Sequence, residues 1–423
     1  MERSSKPRRS SGQVWFERSG NRVSVRGRLS LDQVRNLLAT IHNATARAGY
    51  TDLVLDFSNC TAAYPGAMLS LVAQIAKLRR GDLDTEIDLP TDIRLANLFR
   101  NSGWAHLLDP AKHQPALYRG FAHVPAIQLS SPAEQKLAVD RMIDAVLSSM
   151  PNLTRPDLGA IEWALNEITD NVLVHSQSPV GGFVQLNNLR KRRLVEFTVA
   201  DPGLGIPSTI REGHSEIRSD TEALDRAIRE GVTRDRKVGQ GNGLFGTFEI
   251  AQVGNGYLHV HSGYARLDFE EQLHVRTEQI PVNGTVVVAA LDVSKPDDLG
   301  EALKFEGERY ETLSYVDVHF EGGDRDALVF RLKDEASSFG SRIAGAPVRV
   351  KLGNLVTMNP TRRIVVDLAD VPLVSSSFAD EVFGKLFLEI GALRFMRSVE
   401  FKGLASTVRD ILDRAIMQRA SEQ

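Results

Sequence analysis

The chain has 423 residues, too many for one ordinary core and enough for two to four domains. Hydrophobic residues make up 42% and charged residues 25%, a globular balance, and a formal net charge of -3 gives no case for a general nucleic-acid binder. A single cysteine, Cys60, excludes an internal disulfide framework and fits a reducing cytoplasm, and no apolar run reaches membrane-spanning length.

Residues 1–12 hold Arg3, Lys6, Arg8 and Arg9 with no apolar stretch after them, so they read as a solvated basic tail and not as a signal peptide. A first block, 13–128, follows. Val14-Trp15-Phe16 and Val23-Ser24-Val25 flank Ser19-Gly20-Asn21 and predict a hairpin. Ser30 and Gln33 predict a capping box. A buried strand over Leu53–Phe57, a helix from Gly66 to about Arg80, a strand near Glu86–Leu89 and a helix near Asp92–Ser102 complete an α/β layer. The middle block, 129–294, opens with helices and ends in strands: Phe183–Asn187, Leu194–Ala200, Tyr257–Ser262, Tyr264–Phe269 and Thr285–Leu291. That segregation predicts an α+β sandwich. The last block, 295–423, has a strand over Ile364–Leu368 and a helix within Ser375–Ile390. The outer blocks share a spacing: Asp56 ends a strand before Tyr64-Pro65-Gly66 opens a helix, as Asp367 does before Ser375-Ser376-Ser377.

The chemistry concentrates in the middle block. Thr154, Pro156 and Asp157 predict a helix start, and Leu158, Ile161, Leu165, Ile168 and Val172 form one apolar stripe. Glu167, Asn171 and His175, four residues apart, line its border, where polar groups can face either a pocket or solvent. Asp201 leaves a strand into the turn Pro202-Gly203-Leu204-Gly205-Ile206, which brings a carboxylate beside an approachable backbone; a tight turn satisfied by its own Asp is the simpler alternative. Gly239, Gly241, Gly243 and Gly246 surround Leu244 and Phe245 before a helix and can offer free N–H groups to phosphates. Thr285 opens the last strand after Gly284. The string Gly241 to Gly246 also matches a dinucleotide-binding pattern, but the charged run Thr233–Lys237 stands where that fold needs a buried strand.

Together these four elements resemble the N, G1, G2 and G3 boxes of the Bergerat-fold (GHKL) ATPases, with N-box spacing closest to the anti-sigma-factor serine kinases. The resemblance implies an ATP and Mg²⁺ site. It makes Glu167 a general base and Asn171 the metal ligand, with His175 nearby. It gives Asp201, Gly203, Gly205 and Ile206 to the adenine side, Gly239, Gly241, Gly243, Leu244, Phe245 and Gly246 to the phosphates, and Thr285 to pocket support. It also implies that Pro207–Lys237 is a mobile lid. The outer blocks resemble STAS domains, the last one of the DUF4325 type through Asp367, Ser375-Ser376-Ser377, Phe378-Ala379-Asp380-Glu381 and Phe383-Gly384. Ser376 occupies the phosphoserine position of such antagonists, although Ser375 and Phe378 replace their Asp and Gly, and helix capping is the alternative role for the triplet. Pro65 holds that place in the first block, so that copy cannot be modified there.

The expected molecule is a multidomain α/β and α+β protein with a Bergerat-type sandwich between two STAS-like units. It would be a bacterial, cytoplasmic signalling protein with protein partners, and self-association is left open. Two activities remain: an ATP-dependent switch, or a protein serine kinase acting on Ser376 or a partner's serine. A conventional histidine kinase needs an acceptor histidine on the helix before the ATPase, and Pro132–Met150 contains none.

Overall fold

The structure is a computed structural model that describes residues 15–118, 122–229, 243–295, 299, 302, 304–305, 308–309, 315–321 and 326–421. The basic tail, Gly239, Gly241 and the charged run at 233–237 lie outside these residues. Among the described residues no helix is long and apolar enough to cross a membrane.

The chain forms a mixed α/β multidomain protein built on three main sheets. In the first, β1 (Trp15–Ser19) and β2 (Arg22–Leu29) make the predicted hairpin, turning at Gly20-Asn21. Ser30 and Gln33 form the predicted capping box, with Ser30 N–H donating to Gln33 Oε1 at 3.1 Å, and lead through one tight turn into α1 (Val34–His42). Then come β3 (Asp52–Asp56), β4 (Cys60–Ala63), α2 (Pro65–Arg79), β5 (Asp84–Asp88), α3 (Ile93–Asn101) and α4 (Trp104–Leu108). The strand order is β1-β2-β3-β5, with β2, β3 and β5 parallel and β4 off the path on β2.

The second sheet begins with β6 (His123–Leu129), which the sequence leaves at the end of the first block but which pairs with a strand of the middle block. It is followed by α5 (Pro132–Ser149), α6 (Arg155–Val174), β7 (Gly182–Leu189), β8 (Leu194–Asp201), α7 (Ile206–Gly213), α8 (Asp220–Ala227), α9 (Gly243–Val253), β9 (Tyr257–Phe269) and β10 (Leu273–Asp292). The order is β6-β7-β8-β10-β9, antiparallel throughout. Two predicted strands, Tyr257–Ser262 and Tyr264–Phe269, are one strand. Side chains alternate across the sheet. Val195, Phe197 and Val199 of β8 share a core with Ile161, Leu165 and Ile168 of α6, so α6 packs by the predicted stripe. Burying each such side chain contributes about 1.5–3 kcal/mol. The opposite face does not meet solvent: Phe183, Ala200, Val286 and Val288 join the core of the first unit, beside Leu69 and Val72 of α2.

A two-residue ribbon of β11 (Lys304–Phe305) and β12 (Glu308–Arg309) precedes the third sheet. That sheet consists of β13 (Ala327–Arg331), β14 (Arg363–Asp367) and β15 (Val399–Lys402), parallel and in that order. The helix Arg342–Met358 crosses from β13 to β14, helical turns over 376–390 cross toward β15, and Ser406–Ala420 follows. The first sheet has the same connectivity, with β2, α1, β3, α2 and β5 in the corresponding places. The offset from Asp56 to Pro65 equals that from Asp367 to Ser376.

The third unit is fastened to the helices of the second. Asn354 donates to the carbonyls of Leu147 and Met150 at 2.9 and 2.8 Å, and Lys351, almost fully buried, lies between Asp144 of α5 and Glu335. On α6, Glu162 accepts the Tyr315 N–H with both carboxylate oxygens at 3.0 Å, and burial pushes its pKa up to about 7.

Candidate functional site

In the second sheet β8 ends beside a bulge in the longer β9–β10 pair. Asp201 on β8 pairs in register with Thr285 on β10, which pairs in turn with Ser262 on β9. Asp201 lies two residues beyond Val199 and Thr285 two before Val287, both inward-facing, so these side chains point to the α6 side. The Ser262 hydroxyl donates to Gly284 O at 2.8 Å, lies 3.1 Å from Thr285 Oγ1, and accepts the Ile206 N–H at 3.0 Å. One serine thus ties the turn after β8 to the bulge before Thr285 in β10. No local motif marks Ser262. Its only signal is a hydroxyl in an inward set otherwise made of Leu258 and Val260.

The turn after Asp201 folds over the end of α6. Gly203 N–H donates to Asp201 Oδ1 at 2.8 Å, and Leu204 N–H donates to Ser176 O at 2.8 Å. The second of these is a backbone bond that closes the turn onto the end of the helix, beside the Ser176 hydroxyl, which itself donates to Val172 O. His175 is the half-buried residue that ends α6. Asp201 is 7% exposed, and burial raises its pKa to about 7, against the Gly203 N–H and the charge of Lys77, which both favour the ionised form. Among the described residues the Gly203 N–H is its only hydrogen-bond partner, so one carboxylate oxygen remains available to a donor.

Glu167 and Asn171 lie half-buried on α6, and their side chains have no hydrogen bond or ion pair with the described residues. Burial and the neighbouring Asp170 charge raise the pKa of Glu167. Gly243, the first described residue of the glycine-rich stretch and the start of α9, faces both. A Cβ there would stand 2.7 Å from Glu167 Oε2 and 3.4 Å from Asn171 Nδ2. Leu244 and Gly246 are buried behind it, and Phe245 is half-buried. The structure therefore brings together Glu167, Asn171 and the glycine-led start of α9 on the helix side, and Asp201, Gly203, Gly205, Ile206 and Thr285 at the strand ends. The arrangement can offer a proton acceptor at Glu167, a buried hydrogen-bond acceptor at Asp201, an amide at Asn171, and the N–H groups of an 11-residue helix to an anion.

The expected lid is described over residues 207–229. Residues 206–229 contain α7 and α8, joined by Arg211 and Asp220 at 2.7 Å. Asp220 also accepts the Tyr264 N–H of β9 at 2.7 Å, and Ile210, Ala223 and Leu224 are buried. An apolar face within the charged stretch explains the packing; the remaining lid residues, 230–237, lie outside the described ones.

Gly284 has φ +81, and a Cβ there would lie 2.0 Å from Asp201 O and 2.8 Å from Gly203 N. Both backbone conformation and space demand glycine. Gly284→Ala is expected to destabilise the fold by about 1–3 kcal/mol or more, read as a lower urea midpoint. An unchanged midpoint would show that the two turns are not packed this way.

In the third unit, Ser375 caps the helix, its hydroxyl accepting the Phe378 N–H at 3.1 Å, while Ser376 is exposed in the first turn. The capping alternative therefore belongs to Ser375. Phe378 and Phe383 are core residues, and Asp380 is held by Arg419 at 2.7 and 2.9 Å.

A family model for a STAS-like domain of unknown function (DUF4325) matches residues 345–409, which include β14, the serine turn and β15. No curated protein and no solved structure matches the chain.

Proposed function

We propose that the second unit is a Bergerat-type ATPase domain that binds Mg-ATP and works as a switch between two STAS-like units. The observation that carries this reading is the approach of Gly243 to Glu167 and Asn171. It sets a glycine-led helix start against the two polar residues of α6, as phosphate binding beside a base and a metal ligand requires. The residues fit the ligands by their chemistry. Asp201 would accept from the adenine amino group through its available oxygen. The α9 N–H groups would take phosphate oxygens. Among the described residues no cluster of three or more His, Cys, Asp or Glu could hold a metal alone. Asn171 would be the protein's ligand to Mg²⁺, which when bound would neutralise phosphate charge. The switch reading draws support from α6, which carries Glu167 near one end and holds the third unit through Glu162 nearer the other. Equilibrium binding of labelled ATP to the full chain tests the proposal. Saturable, Mg²⁺-dependent binding that Asn171→Ala weakens is expected, and a folded chain that does not bind ATP overturns it.

Ser376 favours a second reading, a serine kinase of the anti-sigma type. Its hydroxyl is exposed, Ser375 takes the capping role, and a helix N-terminus stabilises added negative charge by about 0.3–1 kcal/mol. Ser375→Ala is expected to cost about 1 kcal/mol of stability and Ser376→Ala close to nothing, measured by denaturant titration. Under this reading, mass mapping after incubation with Mg-ATP finds phosphate on Ser376. An unmodified Ser375–Ser377 peptide, with the partners present, leaves the switch alone.

A further inference from the structure

The helix α2 belongs to the first unit, yet one of its ridges is spent on the second. Gln74, Lys77 and Arg80 follow one another at intervals of three and so lie along one side of the helix and its C-cap. Gln74 Nε2 donates to Asn283 O at 2.6 Å, Lys77 Nζ to Pro202 O at 2.8 Å, and Arg80 to Pro179 O. Those carbonyls belong to two turns and to a bulge within β10. Asn283 precedes Gly284 and Thr285, Pro202 follows Asp201, and Pro179 lies in the connection from α6 to β7. Each contact is to backbone, so it fixes where a turn lies, whatever side chains the turn carries.

The docking that supports this ridge is tight. At the start of α2, a Cβ on Gly66 would stand 2.9 Å from Val288 Cγ2 on β10. From α1, Arg35 donates to Gly263 O and Ala265 O at 2.8 Å and to Ile280 O at 2.6 Å, and Arg266 of β9 pairs with Asp32 at 2.5 Å. The first unit is thus bound along the sheet face opposite α6, with its most polar ridge at the strand ends where Asp201 sits.

We propose that Gln74, Lys77 and Arg80 are positioning residues for the Asp201 side of the site, so that docking of the first unit and ligand binding by the second are coupled. The proposal rests on the nucleotide reading only for the identity of the ligand. Loosening α2 would let the Pro202–Gly205 turn and the Asn283–Thr285 bulge move and Asp201 leave its place, and a ligand held there would in turn resist undocking, because coupling between two sites is reciprocal.

The test uses the full chain with Lys77→Met, Gln74→Ala and Lys77→Arg. Backbone hydrogen exchange is followed at 203–206 and 284–285, and ATP affinity is measured by calorimetry. Faster exchange confined to these turns in Lys77→Met, restored in Lys77→Arg, is expected, with ATP affinity lowered roughly five- to a hundred-fold. Unchanged exchange at the turns, or an equal rise throughout the chain, overturns the proposal. Failure of the unsubstituted chain to bind ATP, with turn exchange still responding to Lys77, removes the nucleotide reading and leaves the positioning role in place.

Discussion

Replacing Glu167 by alanine is expected to leave ATP bound and to lower its turnover by about 10²–10⁴-fold. The argument begins with the helix. The apolar stripe of α6 is buried against the sheet, which fixes the rotation of the helix and leaves Glu167 at the border of that stripe, facing the start of α9. There it is half-buried, has no cationic partner among the described residues, and has its pKa raised by burial and by Asp170. A carboxylate held this way is a stronger proton acceptor than a solvated one, which suits it to take the proton of an attacking water or serine hydroxyl. The loss should have the same size whether phosphate goes to water or to protein, because both acceptors must lose a proton. Glu167→Gln keeps the shape beside Gly243 and should be as inactive as alanine. Phosphate release and protein labelling, measured together at saturating ATP, check this. Normal turnover in either folded variant rules Glu167 out as the base. In the unsubstituted chain, the rate should rise with pH until Glu167 is ionised, and that limb should vanish in the variants.

Much of this site was legible because its parts are local. The spacing of Leu158, Ile161, Leu165, Ile168 and Val172 fixes which side of α6 is buried, and with it the side that Glu167 borders. Asp201 with its glycines announces a turn by composition alone, whereas Gly284 and Thr285, expected to open a strand, lie at a bulge inside β10. Other features depend on distant residues. The strand β6 was missed because Pro125 argues against a strand, yet β6 is the sheet's edge and its register with β7 shifts between Val124 and Ile127, where a proline is tolerated. The first half of β10 was missed because Leu273–Asn283 is largely exposed, so it shows no apolar alternation. Most instructive is α2. Its polar residues Ser70, Gln74 and Lys77 interrupt an apolar run and belong to no motif. In the fold Ser70 turns back on Gly66 O at 2.7 Å, while Gln74 and Lys77 reach the second unit. A helix that is apolar on most sides is buried on most sides, but its sequence does not say against what.

The two outer units would contribute to the proposed switch in different ways. In the first, the helix after the central strand begins with Pro65 and Gly66 and is sealed against β10. In the third, the corresponding helix begins at an exposed Ser376, and attachment to the second unit runs instead through the helix Arg342–Met358 and Tyr315. The same connectivity therefore presents one buried and one open helix start, which suits the first unit to internal support and the third to outside recognition.

Asp201→Asn is expected to weaken ATP binding roughly ten- to a hundred-fold, the loss of about 1.5–3 kcal/mol for a charge-assisted hydrogen bond in a buried site. The substitution keeps size and shape, and the asparagine carbonyl can still accept the Gly203 N–H, so the turn should survive. What changes is the second oxygen, which becomes an NH₂ donor where an adenine amino group also donates. The pH dependence adds an independent check. Asp201 keeps its proton up to about pH 7 in the folded chain, because burial disfavours the charge. In the unfolded chain it loses the proton near about pH 3.9. Between these values the folded state binds more protons, so this group's contribution to stability is fully present below the lower value and is lost as pH rises toward the upper one. An amino group donating to the carboxylate favours the ionised form. Binding should therefore release a proton below about pH 7, and affinity should rise with pH until that point. Asp201→Asn should remove both the proton release and the pH-dependent loss of stability. Calorimetry in two buffers of different ionisation enthalpy counts the protons, and denaturant titration across the same range follows stability. A folded variant with unchanged ATP affinity and unchanged proton release excludes Asp201 as the group that recognises adenine.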